Sequence, residues 1–189
     1  MTRMFMPAAL AAAVLVCTAA QAATPASYAA DPASSRLEFT GVQAGAEFKG
    51  TFRKFSATIV FSPDAPADAH FDVVIDMASE DTGDHDRDGT IRGPDIFDVA
   101  HFPTAHYVTR SFTKTATGYG AVGSLTLRGV TKDVPIAFKF TQAAGGANLS
   151  GTAELKRLDF GVGRGDWKST EWVADAVKVA FSLSLKPKP

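Results

Sequence analysis

Asp84-His85-Asp86-Arg87-Asp88-Gly89 reads as D-x-D-x-D-G, with Ile91 in the eighth place and Asp95 in the twelfth. A calcium loop needs carboxylates at alternate positions, a glycine for the sharp turn and a bidentate carboxylate to close the shell. The chain departs from that pattern twice. The closing residue is the shorter Asp rather than Glu, and Arg92 puts a cation in the ninth place. No pair of amphipathic helices flanks the run. A solvated acidic loop or helix start is therefore expected, and no metal site.

Catalytic chemistry has little material. His70, His85, His101 and His106 show no H-E-x-x-H or other paired ligand spacing. G-x-S-x-G is absent, and Cys17 is the chain's one cysteine. Gly118-Tyr119-Gly120-Ala121-Val122-Gly123 satisfies G-x-G-x-x-G, but dinucleotide binding needs a strand before it and a helix after it. A strand pattern follows instead, so a hairpin turn is expected there. Asn148-Leu149-Ser150 is a formal glycosylation sequon of little weight behind a bacterial-looking leader. An enzyme would need a polar cluster inside the fold, such as Asp72 or Asp76 paired with a histidine.

The elements that must position these groups are strands. Phe55, Ala57, Ile59 and Phe61 alternate with wetter neighbours, as do Phe71, Val73, Ile75 and Met77. The same period of two recurs at Gly123, Leu125, Leu127, at Val134, Ile136, Phe138, Phe140, and from Val177 to Leu185. Further strands fit Leu37–Thr40, Glu47–Phe52, Ala105–Phe112 and Asn148–Phe160. Turn signals at Pro63-Asp64, Gly129 and Gly145-Gly146 separate them. About eight or nine hairpin-linked strands imply an all-β antiparallel barrel or sandwich. The stretch from Glu80 to Pro103 breaks the rhythm. Pro94-Asp95 has the chemistry of a helix start, so one or two short helices are expected across one end. Thr24–Ala33 reads as a loose N-terminal arm.

Composition bounds the function. The chain has 189 residues, 46% of them hydrophobic, which suits one domain with a real core. With 19 Lys+Arg against 20 Asp+Glu the net charge is −1, so nucleic acid is not an expected partner. Fourteen Phe against 3 Tyr and 2 Trp imply a large, dry interior, because Phe carries no polar handle. Arg3, the apolar Pro7–Ala20 run and Ala20-Gln21-Ala22 form a secretory leader, too short for a membrane span. Cleavage after Ala22 removes Cys17, whose preceding Val14-Leu15-Val16 fits a lipoprotein signal poorly. A periplasmic product spanning residues 23–189, with no membrane span, is expected.

Longer stretches point to a family. They are Tyr28–Asp31 with Ser35-Arg36-Leu37-Glu38-Phe39, Gly50-Thr51-Phe52, and Ala78-Ser79-Glu80-Asp81-Thr82-Gly83 with Arg87-Asp88. Phe97-Asp98 with Phe102-Pro103-Thr104-Ala105, Gly123 to Lys132, and Asp159-Phe160-Gly161 with Asp175-Ala176-Val177 continue the series. In this order and spacing, from Tyr28 to about Leu185, the chain resembles the YceI-like family of secreted, lipocalin-like proteins. The resemblance implies an extended eight-stranded antiparallel barrel with one or two short helices. Its interior would hold an amphiphile with a polyisoprenoid or other lipid tail, isoprenoid quinones among them. Many members carry a histidine shortly after the first strand, where this chain reads Thr40-Gly41-Val42-Gln43-Ala44-Gly45. Phe160-Gly161-Val162-Gly163 with Trp167, Thr170 and Glu171-Trp172-Val173 resembles a branch linked with membrane cytochrome b561 proteins, which handle quinones. That resemblance implies a quinone ligand and such a partner, and leaves monomer and homodimer both open.

A barrel sends the apolar side of each period-two run inward. Phe39, Phe48, Phe52, Ile59 and Phe61 are accordingly expected to line a long apolar channel. Phe71, Val73, Ile75, Phe138 and Phe140 continue that lining, with Trp167 and Trp172 near one mouth. A bend near Lys54 could turn one of the two adjoining phenylalanine runs outward. A filled structural or stress-response barrel and a lipid-acting enzyme are the alternatives. No cofactor is expected beyond a bound lipid.

Overall fold

Alternation of apolar and polar residues lets each strand bury one face and wet the other, and the chain closes those strands into a ring. A computed structural model describes residues 26–188. The expectations for the leader, Cys17 and the cleavage site lie outside the described residues. The strands are β1 (Ala26–Ala30), β2 (Arg36–Gln43), β3 (Ala46–Phe52), β4 (Phe55–Phe61), β5 (His70–Asp76) and β6 (Glu80–Asp81). After helix α1 (His85–Arg92) come β7 (Thr104–Thr115), β8 (Gly118–Leu127), β9 (Val130–Ala143), β10 (Gly146–Lys156) and β11 (Ala176–Pro187).

Eight strands in the order β1-β4-β5-β7-β8-β9-β10-β11 form an antiparallel barrel, closed where β1 pairs back onto β11 (Tyr28 opposite Pro187, Ala30 opposite Leu185). Closure removes the open edges that would otherwise invite aggregation. Strand β11 is long enough to carry two partners end to end. Its C-terminal part takes β1, and its N-terminal part takes β2 from Arg36 opposite Ser182 to Thr40 opposite Lys178. At the step between them the buried Ser35 hydroxyl accepts from Ser184 N at 3.1 Å, so a side chain carries the ladder across the gap. Strands β3 and β6 extend the wall beyond β2. The result is a barrel closed at the β1 end and prolonged at the other by a β2–β3 flap.

Two-residue turns fix the register of two hairpins. Ala44 (φ 50°) and Gly45 (φ 78°) join β2 to β3, and Arg128 (φ 51°) and Gly129 (φ 74°) join β8 to β9. Positive φ at both central positions matches the right-handed twist of the flanking strands.

Four expectations need correction. The supposedly loose arm contains β1, whose Tyr28 is buried edge-on to Phe140. Ala-Ser-Tyr-Ala-Ala carries little strand signal of its own, and its pairing with β4 and β11 decides its conformation. Pro94 follows the helix instead of opening it. Helix α1 starts at Asp84, whose carboxylate accepts from Asp86 N and Arg87 N at 3.1 and 3.0 Å, and it ends at Gly93. The final strand-like stretch to Phe160 stops at Lys156. Arg157–Phe160 forms a 3-10 turn, closed by Gly161 at φ 66°. The G-x-G-x-x-G run, expected to be a hairpin turn, lies within β8, and the turn precedes it at Ala116-Thr117.

Candidate functional site

The inner faces of nine strands and one side of α1 enclose a cavity of about 530 Å³. That lies within the roughly 300–1,000 Å³ of small-molecule sites. Its walls are apolar. Leu37, Phe39 and Gly41 come from β2, Phe48 and Phe52 from β3, Phe55 and Ile59 from β4, and Phe71, Val73 and Ile75 from β5. Tyr107, Leu125, Leu127, Val134, Ile136, Leu149, Val179 and Phe181 continue the circuit. Both adjoining phenylalanine runs face inward. The break at Arg53-Lys54, where both backbone N–H groups bond to Ser79, shifts the phase by one residue between Phe52 and Phe55. Gly50 makes room for the ring of Phe39, because a Cβ there would stand 2.3 Å from Phe39 Cζ.

At the β1 end an aromatic plug shuts the barrel. Phe61 lies 4.8 Å from Phe140, 4.9 Å from Tyr119 and 5.4 Å from Phe138 between ring centroids. Phe71 joins the plug through Phe112 (5.0 Å) and Phe138 (5.1 Å) and is also the cavity's floor. These edge-on and tilted geometries suit the ring quadrupole.

The opposite end is the mouth, and polar groups lining the cavity collect there. Gln43, Asp84, Asp86, Arg87, Thr90 and Arg157 stand with Trp167, Val173 and Ala174. Arg87 lies over the Phe48 ring at 4.8 Å and has Asp84 Oδ2 at 3.6 Å. The buried Arg157 donates to four carbonyls, those of Val162 (2.9 Å), Ser169 (3.3 Å), Val173 (2.8 Å) and Ala174 (3.1 Å). Burial pulls this guanidinium below its ordinary pKa. It ties the irregular segment from Val162 to Ala174 to the barrel rim. The buried Arg128 does the same for the loop after α1, donating to Pro94 O at 2.6 Å and to Ile96 O. Ile96 and Phe97 of that loop reach the cavity.

Helix α1 is held by β6 and its following residue. Asp88 Oδ1 accepts from Thr82 N at 2.9 Å and from Thr82 Oγ1 at 2.6 Å. Arg92 donates to Glu80 O at 2.8 Å, and its Nε lies 2.7 Å from Glu80 Oε1 without the alignment of a hydrogen bond. Glu80 is 1% exposed. Burial pushes its carboxyl up to about 7, with Arg92 opposing and Asp88 reinforcing that rise. Burial likewise raises the Tyr107 hydroxyl, which donates to Val134 O at 3.1 Å.

Phe39, Phe48, Phe52, Ile59, Phe71, Val73, Ile75 and Trp167 line the cavity. Phe61, Phe138 and Phe140 belong to the plug, and Trp172 is 64% exposed outside the lining. A period of two reports which face a residue takes, and nothing about its height along the barrel axis. Missing from the expectation were Leu37, Tyr107, Leu125, Leu127, Val134, Ile136, Val179 and Phe181, although their alternation carried the same inward signal. Met77 also carried it, at the end of the Phe71–Ile75 run, whereas loop residues such as Phe97 and Val162 had no such signal.

Asp72 and His106 do pair, at 2.9 Å, but on the outer face, where both are roughly half exposed. Among the described residues no three His, Cys, Asp or Glu side chains gather as a metal site. No described helix is long and apolar enough to cross a membrane.

Comparison with known proteins agrees with this architecture. The YceI-like domain family matches residues 28–185. A UPF0312 protein of Yersinia pestis is 34% identical over 119 residues, covering 60% of this chain and 62% of that protein. The chain thus spans about three fifths of that relative's length. The crystal structure of Burkholderia cenocepacia BcnA superposes with a TM-score of 0.78 at 33% identity, over 82% of this chain and 98% of that one. A polyisoprenoid binding domain from Saccharophagus degradans shares the fold, with a TM-score of 0.66 at 18% identity over 87% of this chain and 99% of that one. With a family match across nearly every described strand, a barrel closed by eight antiparallel strands and an apolar interior open at one end, this chain belongs to the YceI-like domain family.

Proposed function

We propose that the protein is a non-catalytic carrier or sequestering protein for an amphiphilic lipid whose isoprenoid tail lies in the barrel. One observation carries this reading: a cavity of about 530 Å³, apolar along its walls and polar only toward its open end. A core built solely for stability fills to crystal-like density and leaves few voids larger than a water molecule. Burying a tail contributes about 0.8 kcal/mol per CH2, so a prenyl chain supplies ample affinity without specific polar contacts. The ligand named for the Saccharophagus degradans domain supports a polyisoprenoid, and isoprenoid quinones have the same tail chemistry.

The N-terminal leader supports export to the periplasm with Ala23 as the first mature residue. Intact mass of the exported protein checks this, and a species retaining an acylated Cys17 would contradict it. A membrane cytochrome b561-type protein is the partner that the Trp167–Val173 resemblance favours. Titration of the purified protein with a polyprenol or a prenylated quinone, followed through Trp167, tests the reading. Saturable binding is the expected result. A flat titration with both ligand types contradicts it.

A further inference from the structure

The barrel wall is not laced along its whole length. Strands β9 and β10 pair from Ala143 opposite Gly146 to Ile136 opposite Ala153, and there the ladder stops. Each strand keeps its other partner beyond that point: β9 stays on β8 as far as Val130, and β10 stays on β11 as far as Lys156. The stop falls at Pro135. Ala137 O lies on the β10 side, where a Cβ on Gly151 would stand 2.3 Å from it. Backbone groups alternate in direction along a strand, so Pro135 also turns toward β10 and has no N–H to donate.

The seam that follows is filled by the 3-10 turn Arg157–Phe160, whose Phe160 is buried. The turn is tied to the β11 side. Arg157 N donates to Asp175 O at 2.8 Å, and Leu158 N to Asp175 Oδ1 at 3.0 Å. Among the described residues no hydrogen bond joins it to β9, so side-chain packing alone holds it there. From outside, a cleft of about 270 Å³ enters the seam between Lys132, Asp133, Glu154, Lys156 and Phe160. Val134 and Leu155 line both this cleft and the main cavity, so a single layer of apolar side chains separates the two.

We infer that this seam is a side portal, through which an apolar tail passes between Val134 and Leu155 when the turn carrying Phe160 swings away from β9. The inference rests on the lipid-binding reading above and adds the route. Strand β9 is the fixed lip, since the Tyr107 hydroxyl holds Val134 O at 3.1 Å. The turn is the moving lip, with Gly161 (φ 66°) and Gly163 (φ 105°) behind it. Opening breaks no hydrogen bond between the lips, so it costs less than parting a paired ladder. A gate that lies on the path and outside the bound state changes uptake and release by the same factor and leaves the affinity alone.

The test bridges the two lips in the exported protein, with Cys17→Ser so that no other thiol is present. Asp133→Cys and Lys156→Cys, at exposed positions that would face each other had the register run on, are joined by a short reducible bis-maleimide. Stopped-flow Trp167 fluorescence in a Trp172→Phe background follows the uptake of geranylgeraniol and its release to phosphatidylcholine vesicles. Bridging is expected to slow both rates by roughly tenfold at unchanged affinity, with reductant restoring them. Phe160→Ala should speed both. Unchanged rates in the bridged protein overturn the portal and leave the lipid reading standing. A change in one rate alone also overturns the portal, because it marks an altered binding site. No binding by the unbridged protein overturns the lipid reading, and the portal with it.

Discussion

Truncating a phenylalanine should have different consequences at the two ends of the same apolar interior. Phe61 is 1% exposed and touches five other rings in the plug. Phe61→Ala should cost about 3–5 kcal/mol of stability, because the surrounding rings cannot collapse into the gap. Phe52 faces space that already exists, so Phe52→Ala should cost less stability and instead weaken lipid binding. Urea unfolding paired with lipid titration checks the contrast, and equal stability losses would contradict it. Glu80 gives a pH signature. Its carboxyl is raised from 4.5 to about 7 in the fold, so the folded state binds the proton more tightly than the unfolded chain. The contribution to stability is then full below about pH 4.5 and is lost as pH rises through about 7. Glu80→Gln should flatten the fall in Tm between those limits, and parallel wild-type and variant curves would contradict this. The acidic motif makes a third case. Asp84 caps α1 and Asp88 holds Thr82, so the carboxylates that calcium would need serve the fold. Added calcium should leave Tm unchanged, whereas a real site adds about 2.7 kcal/mol at a hundredfold excess over Kd. An upward shift of several degrees would contradict the present account.

At the scale of elements, the polar clasps at the mouth do the positioning. Arg157 binds four carbonyls of a segment with little secondary structure of its own. Arg157→Met should leave the strand ladder intact and speed amide hydrogen exchange from Val162 to Ala174, with the affinity for lipid falling as Trp167 and Val173 lose their places. Exchange that stays at the wild-type rate would refute the clasp. Alternation at residues 55–61 and 71–77 was enough to identify two strands and their inward faces. It was enough because each strand buries one side only. Strand β1 was not legible, since Ala26–Ala30 owes its conformation to β4 and β11, which are distant in sequence. The acidic run at Asp84 was read as a loop or helix start and does open α1, whereas the start expected at Pro94-Asp95 fails for a local reason. Asp84 is a better cap than the Pro94-Asp95 pair is a start, and Gly93-Pro94 is a stop. The cavity's depth was illegible for a geometric reason. Phe138 and Ile136 share a face, yet one fills the plug and the other borders the cavity.

As a whole molecule the barrel is a sleeve, closed by β1 and the plug at one end and opening through a clasped, polar mouth at the other. Stability and binding are divided along its axis. Dense aromatic contacts at the closed end supply the cohesion that an unfilled interior cannot. The central claim is that a long apolar tail occupies this interior. The most direct measurement is to purify the exported protein natively, extract it with organic solvent and identify what is released by mass spectrometry. The account predicts a stoichiometric lipid with an isoprenoid tail. An extract without lipid, from a protein that also fails to take up added polyprenol or prenylated quinone, would contradict it.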